Sequence, residues 1–539
     1  MRSLTFTLHF CVCLLAIQTA HAGFGLKDDK KSYEIDTGAG LVVQISQGNG
    51  DIKQLLWNGD NLSISKGSHI KSGLGLGTKV SAQTLPGRDT IIVTAEPQER
   101  AAKEETEEDS DAKETGNPYE GLIHYYVFRR NEPTIYMATY IAHPFGEFRW
   151  ITRLNVDKFK QLQPGSDNRG TIGHVESTDV FKLPNGESRS KYYGNQRAKE
   201  LTIRGQTGPG VGVFMVYGNR ETSSGGPFFR DIQNQSAEVY NYMFSGHEQT
   251  GKARTGLHGP YALMFTKGET PAIPNMEFMG NLNLKGWVGI RNRGYVTGES
   301  SGTLAGLPVT VTWENDTAQY WADGPTFRSP AMKAGVYTQT LYQGELAVAE
   351  KKVVVEAGNS VRSDIVSTFP KSTPLWRIGI WDGTPCEFAN GKTFALRHPS
   401  DPRNAPWPKS FTIGQDRAAA FPAAQWADVN HPIEITFNLR HSEVKKSTIT
   451  IGITAAYGRG RPSIRVNDWK SKLPSASAQP DSRSLTIGTY RGNNTNFDFE
   501  VPAKALKPGN NKLFIDVVGQ GGFGGFLTPG YSFDCIEMK

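Results

Sequence analysis

Leu41-Val42-Val43-Gln44-Ile45-Ser46 runs into Gln47-Gly48-Asn49-Gly50-Asp51 and then into Ile52-Lys53-Gln54-Leu55-Leu56-Trp57. Two apolar-rich runs on either side of a Gly- and Asn-rich turn are the signature of a β-hairpin. The same rhythm recurs along the chain. Residues 89–95 read as a strand, and residues 124–129 and 134–142 flank a turn at Arg130-Asn131-Glu132-Pro133. Sustained helical periodicity is scarce, and its best candidate, residues 416–428, is short. The fold class is therefore all-β. Composition agrees: 539 residues with 59 Gly and 30 Pro and no three-residue repeat describe a turn-rich globular chain, not a collagen or a coiled coil. That length exceeds a single core and calls for several domains.

Arg2 precedes an apolar stretch over residues 4–17, followed by Ala20-His21-Ala22. Residues 1–22 thus read as a cleaved signal peptide, and the chain from Gly23 onward as secreted and extracellular. The apolar run is shorter than the roughly 20 residues that a spanning helix needs, so no membrane partner is expected. Cys11 and Cys13 leave with the signal, so Cys386 and Cys535 remain, either bridged or as two buried thiols.

The formal charge of +6 is a sum over unlike parts. Without Arg2 it is +5, residues 96–115 hold nine acids and three bases for a local −6, and the remainder therefore carries +11. The acidic stretch, taken as residues 96–118, cannot repay the entropy of ordering and reads as a solvated loop. A body so basic suits a polyanion, whether acidic polysaccharide, nucleic acid or anionic membrane. Export disfavours nucleic acid.

Pro271-Ala272-Ile273-Pro274 closes the first β-rich region, and residues 284–290 are expected to begin new strands. Residues 309–313, 335–342 and 352–355 then give a unit on the scale of an immunoglobulin-like sandwich. Past Pro370-Lys371-Ser372-Thr373-Pro374, strands at 433–439, 448–455 and 512–518 suit a jelly roll. Gly298-Glu299-Ser300-Ser301-Gly302 has the spacing of a nucleophile elbow, but no helix follows it, and it reads as a turn.

Residues 146–154 read as a strand on which Arg149 and Arg153, four apart, share one face about 13 Å apart, as a solvated face or as a clamp for carboxylates. Lys191 leads into Tyr192-Tyr193, as a surface lysine or as a base. Tyr240 and Tyr242 share a strand face with His247 just past its end, a structural histidine or a functional one.

These stretches, together with residues 67–75, 187–193, 223–232, 256–261, 318–321, 378–383 and 532–537, resemble the rhamnogalacturonan lyases of polysaccharide lyase family 4, the fungal rhamnogalacturonate lyases in particular. The resemblance runs the length of the chain. It implies a large catalytic β-sandwich of the galactose mutarotase-like super-sandwich kind over residues 23–278. A fibronectin type III-like sandwich over 279–368 and a jelly-roll, carbohydrate-binding-like domain over 369–539 follow. It implies an acidic plant cell-wall polysaccharide as partner, the rhamnogalacturonan I backbone of pectin, and accounts for the basic body. Carried over by motif, Lys191 is the base and His247 the acid of a β-elimination. Positive charge around Lys191 is expected to favour its proton-accepting form. Arg149 and Arg153 bind the galacturonate carboxylate, Tyr240 and Tyr242 bind sugar or help protonate the leaving oxygen, and Arg483, in Asp481-Ser482-Arg483, reaches the substrate from the third domain. No cofactor is required, a structural calcium in the third domain is left open, and the chain is expected to be a monomer. The acidic loop is an insertion relative to the fungal pattern. Two other classes stand beside this reading: a non-catalytic pectin-binding protein, and a pectin hydrolase with two carboxylates about 5 to 10 Å apart.

Overall fold

The hairpin forms as read: Leu41–Ser46 pairs antiparallel with Ile52–Trp57. A bulge at Lys53, where Gln44 opposes Gln54 but Ile45 opposes Ile52, brings Ile52 and Leu55 to the same buried face. Gly50 closes the turn at φ +74°, where a Cβ would also meet that of Ala95 at 2.7 Å, so glycine is required twice over. The structure is a computed structural model that describes residues 23–98, 119–247, 250–370, 373–480, 483–520 and 527–539. The expected signal peptide and residues 99–118 of the acidic loop lie outside the described residues. Among those described there is no α-helix, only strands, turns and short 3-10 segments.

The hairpin belongs to a five-stranded sheet beside a four-stranded sheet ordered Asn234–Gln235, Glu238–Phe244, Phe148–Thr152 and His69–Ile70. Both share one core with a seven-stranded antiparallel sheet, built from Val43, Trp57, Trp150, Val239, Val93, Tyr126, Met137 and Leu263 among others. The far face of the seven-stranded sheet is covered by Met276, Met279 and Leu284. Residues 284–290 therefore do not begin new strands. They are turns leading to the 3-10 segment Ile290–Asn292, because Leu284 is drawn onto that apolar face.

In the second sandwich, Gln319–Asp323, Val309–Glu314, Gly335–Gln343 and Leu346–Val355 face the strand Arg293–Ser301 and its short partners around Trp313, Tyr337 and Leu341. Residues 298–302 are mostly strand, not the turn expected from sequence: Gly298 lies so close to the Ser363 carbonyl that a Cβ would sit 2.7 Å from it. Two five-stranded sheets make the third sandwich. Residues 416–428 form no helix there. Pro422 lacks the amide that a helix interior needs, and the chain gives a 3-10 turn, Ala418–Ala420, then the buried strand Ala424–Trp426 paired with Gly530–Met538. Cys386 and Cys535 are both free thiols, packed in different cores.

Candidate active site

The four-stranded sheet turns one face to the first core and the other outward. Phe148 and Trp150 fill the core; Arg149 lies opposite Tyr242, and Ile151 lies opposite both Tyr240 and His69. Arg149 and Arg153, the latter one residue past the strand end, lie on one side as expected, and that side is shared with both tyrosines, which was not read from the sequence; both guanidiniums act electrostatically on the Tyr240 hydroxyl. A register shift between Phe148 and Arg149 sets this alignment.

Carboxylates face every one of these cations, a balance not anticipated from the sequence. Arg149 Nη1 is 2.9 Å from Glu147, which also accepts from Tyr242 Oη at 2.7 Å. Arg153 and Tyr240 Oη both bond Glu238. Burial first, and then these carboxylates, push both tyrosine hydroxyls well above 10, so they remain proton donors. Arg153 Nε donates to His69 Nε2 at 3.3 Å, while His69 Nδ1 lies 2.9 Å from the Lys71 carbonyl. Burial, then Arg153 and Arg149, lower His69 to about 4, which keeps it neutral and able to accept.

Lys191 stands in the turn after the strand Ser188–Arg189. It is ion-paired, in place of the purely cationic surroundings expected: Nζ lies 3.1 Å from Asp179. That Nζ is 5.6 Å from the centre of the Tyr192 ring, and the His247 ring meets the same ring edge-on at 5.3 Å. His247 also lies 5.8 Å from the Tyr242 ring, and its Nδ1 is 3.4 Å from Asp231. Burial disfavours the imidazolium, but Asp231 and Glu147 outweigh it, and the group sits above its ordinary 6.5.

The third sandwich closes one side. Arg483 Nη1 is 2.9 Å from Glu176 and its Nη2 is 3.6 Å from Asp179, the carboxylate beside Lys191. His398 Nε2 is 2.9 Å from Glu176, and the Ser188 amide and hydroxyl both donate to Asp401 at 2.7 Å. Tyr193 Oη donates to the Thr486 carbonyl at 2.8 Å. Gly488 approaches Tyr192 so closely that a Cβ would lie 2.3 Å from its carbonyl oxygen. Asp481 and Ser482 lie outside the described residues.

The structure thus gathers Arg149, Arg153, Lys191, Tyr240, Tyr242, His247 and Arg483 into one region. Sequence reasoning missed Glu147, Glu238, Asp179, Glu176, Asp231, His69 and His398. Two of these were within reach of it, since Glu147 and Glu238 precede Arg149 and Tyr240 by two residues, the spacing at which neighbours in a strand share a face. Among the described residues, no group of three or more His, Cys, Asp or Glu is arranged to hold a metal ion.

Family models match nearly all of the chain. The N-terminal region of rhamnogalacturonan lyase B matches residues 24–286, domain II of polysaccharide lyase family 4 matches 292–363, and domain III of that family matches 374–538. In class, this three-sandwich chain is a polysaccharide lyase. Rhamnogalacturonate lyase A of Emericella nidulans is 38% identical over 100% of both chains, and that of Aspergillus aculeatus is 36% identical over 97% of each. The chain belongs to the rhamnogalacturonan lyases of polysaccharide lyase family 4. A galactose 1-epimerase of Lactobacillus acidophilus, 11% identical, covers 46% of this chain and 98% of its own at a TM-score of 0.22.

Proposed function

We propose that this protein is a secreted, extracellular enzyme that cleaves the rhamnose-(1→4)-galacturonate bond of rhamnogalacturonan I by β-elimination. The observation that carries this reading is the placement of Lys191 and a His247 held above its ordinary pKa on the same aromatic ring, Tyr192. Lys191 removes the proton at C5 of galacturonate. The electrons left at C5 form the C4–C5 double bond as the C4–O bond breaks, and His247 protonates the departing rhamnose oxygen. C5 loses one proton, its bonding pair becomes the C4–C5 π bond, the C4–O pair leaves with the rhamnose oxygen, and the product is a 4,5-unsaturated uronide.

The intermediate adds a second negative charge to a carboxylate, so donors aimed at that group matter most. Arg149 and Arg153 fill this role, Tyr240 and Tyr242 contact the sugar, and Arg483 reaches the substrate from the third sandwich. Each guanidinium already faces a carboxylate, so galacturonate must share or displace those contacts. The scheme assigns each step to side chains of a monomer and calls for no metal. Turnover unchanged by chelator is the expected result, and a chelator loss restored by calcium would contradict it. A structural calcium in the third sandwich is not part of the scheme.

The direct test follows the ultraviolet absorbance of the conjugated unsaturated uronate on rhamnogalacturonan. Appearance of that chromophore, lost by roughly 100-fold or more in folded Lys191→Ala and His247→Ala, is expected. Reducing ends without the chromophore would instead identify hydrolysis.

A further inference from the structure

The geometry points to Asp231 as the positioning residue of the acid: it holds His247 by Nδ1 and leaves Nε2 as the nitrogen that surrenders its proton. This rests on His247 being the acid. His247 Nδ1 lies 3.4 Å from Asp231 Oδ1. The carboxylate is itself fixed, because the Ile232 amide donates to Oδ1 at 2.7 Å and Ser245 Oγ donates to Oδ2. The same Ser245 hydroxyl accepts from the His247 amide at 3.3 Å, so one serine ties acid and carboxylate together. The Asp231 side chain is 4% exposed and that of His247 is 29% exposed, so the contact is buried on the carboxylate side and open at the ring.

The loop bearing Asp231 is anchored from the other two sandwiches. Its neighbour Arg230 lies over the Tyr490 ring at 5.2 Å and 3.8 Å from Glu345, which also accepts from Tyr490 Oη at 3.0 Å and from Arg197 at 3.1 Å. A carboxylate so held selects one ring orientation and one tautomer. In the proposed step the Nε2–H bond breaks and the proton passes to the glycosidic oxygen. The imidazole left behind is neutral, with Nδ1–H still donating to Asp231, which itself transfers nothing. The charged groups facing His247 are Asp231, Glu147 and Lys191, and the rings facing it are those of Tyr192 and Tyr242.

Asp231→Asn keeps the shape and removes the charge. In the full-length enzyme, kcat for the unsaturated product should fall roughly 10- to 100-fold with KM little changed. The alkaline limb of the kcat profile should move to lower pH, because the imidazolium loses the carboxylate that favours it. In the His247→Ala background the same substitution should cost nothing more. Asp231→Glu restores charge at altered reach and should fall between wild type and Asn with the limb in place. If Asp231→Asn does not fold, reduced kcat in Asp231→Glu carries the inference and unchanged kcat overturns it. An unshifted alkaline limb, or losses that add to those of His247→Ala, overturns it. Wild-type kcat in folded Asp231→Asn beside an inactive His247→Ala sinks this inference and leaves His247 as the acid, whereas full turnover in His247→Ala sinks both.

Discussion

Arg149 is 7% exposed, lies opposite Tyr242 and shares Glu147 with it. Arg149→Lys keeps the charge but replaces a planar fork by a point donor. A drop of about 10-fold in kcat/KM is expected from initial rates, and unchanged rates would move the carboxylate-binding role elsewhere. Three other buried side chains contribute to the acid response of the fold. Burial holds His124 and His258 at about 3, and burial with Arg153 and Arg149 holds His69 at about 4. Their folded values lie below the ordinary 6.5, so the unfolded chain binds more protons as pH falls. Stability from these groups is whole above about 6.5 and is lost progressively down to about 3. Burial raises Asp51, Asp382 and Glu387 into the same window with the opposite sign, so the test is differential: between pH 6.5 and 4 the thermal unfolding midpoint of His124→Gln should decline less than that of the wild type, and parallel series would contradict the neutrality of His124. His247 runs the other way: its raised value means a contribution complete below 6.5 and lost as pH climbs through that value.

Strand Phe148–Thr152 is buried along its whole length, because its inner face packs in the core and its outer face is covered by tyrosines and by the site's ion pairs. Trp150 is fully buried, stacks on His124 at 5.3 Å, meets Tyr126 edge-on at 5.7 Å, and donates Nε1 to Thr152 Oγ1 at 2.9 Å. Trp150→Ala should cost about 3–5 kcal/mol in urea unfolding. A loss under about 1 kcal/mol would mean that this strand does not organise the core. Such elements were legible where alternation and turn residues act over a few positions, as in the 41–57 hairpin and the Arg149–Arg153 face. They were illegible where a local pattern yields to its neighbours. Residues 416–428 carry helical spacing, yet Pro422 and the pairing of Ala424–Trp426 with the last strand outweigh it.

The three sandwiches meet through buried charge. Glu221, from the first, is bonded by Arg293, Lys333 and Tyr320 of the second, at 2.6 Å, 3.2 Å and 2.8 Å. Burial raises this carboxyl, but those donors outweigh it and bring the group to about 2. Its contribution is therefore present above the ordinary carboxylate range and is lost as pH falls toward 2. Glu221→Ala leaves two cations buried without their carboxylate, and a loss of about 3–5 kcal/mol is expected by denaturant unfolding. Wild-type stability would show that the two sandwiches do not depend on this pin. On the other side, Arg483 and His398 bring the third sandwich against Glu176 and Asp179, so the loop of Lys191 rests on residues far along the chain.

The sequence by itself determined the all-β class, the hairpin bounds, the shared face of Arg149 and Arg153, and the resemblance that names the candidate residues. All of these depend on residue alternation, turn chemistry and motifs that act within short stretches. Only the tertiary structure decided that Glu238 faces Arg153, that Asp179 stands beside Lys191 and Asp231 beside His247, and that the third sandwich flanks the base. Those contacts join residues separated by 12 positions for Lys191 and Asp179 and by 293 for Tyr193 and Thr486. No local periodicity specifies which distant side chains packing will bring together.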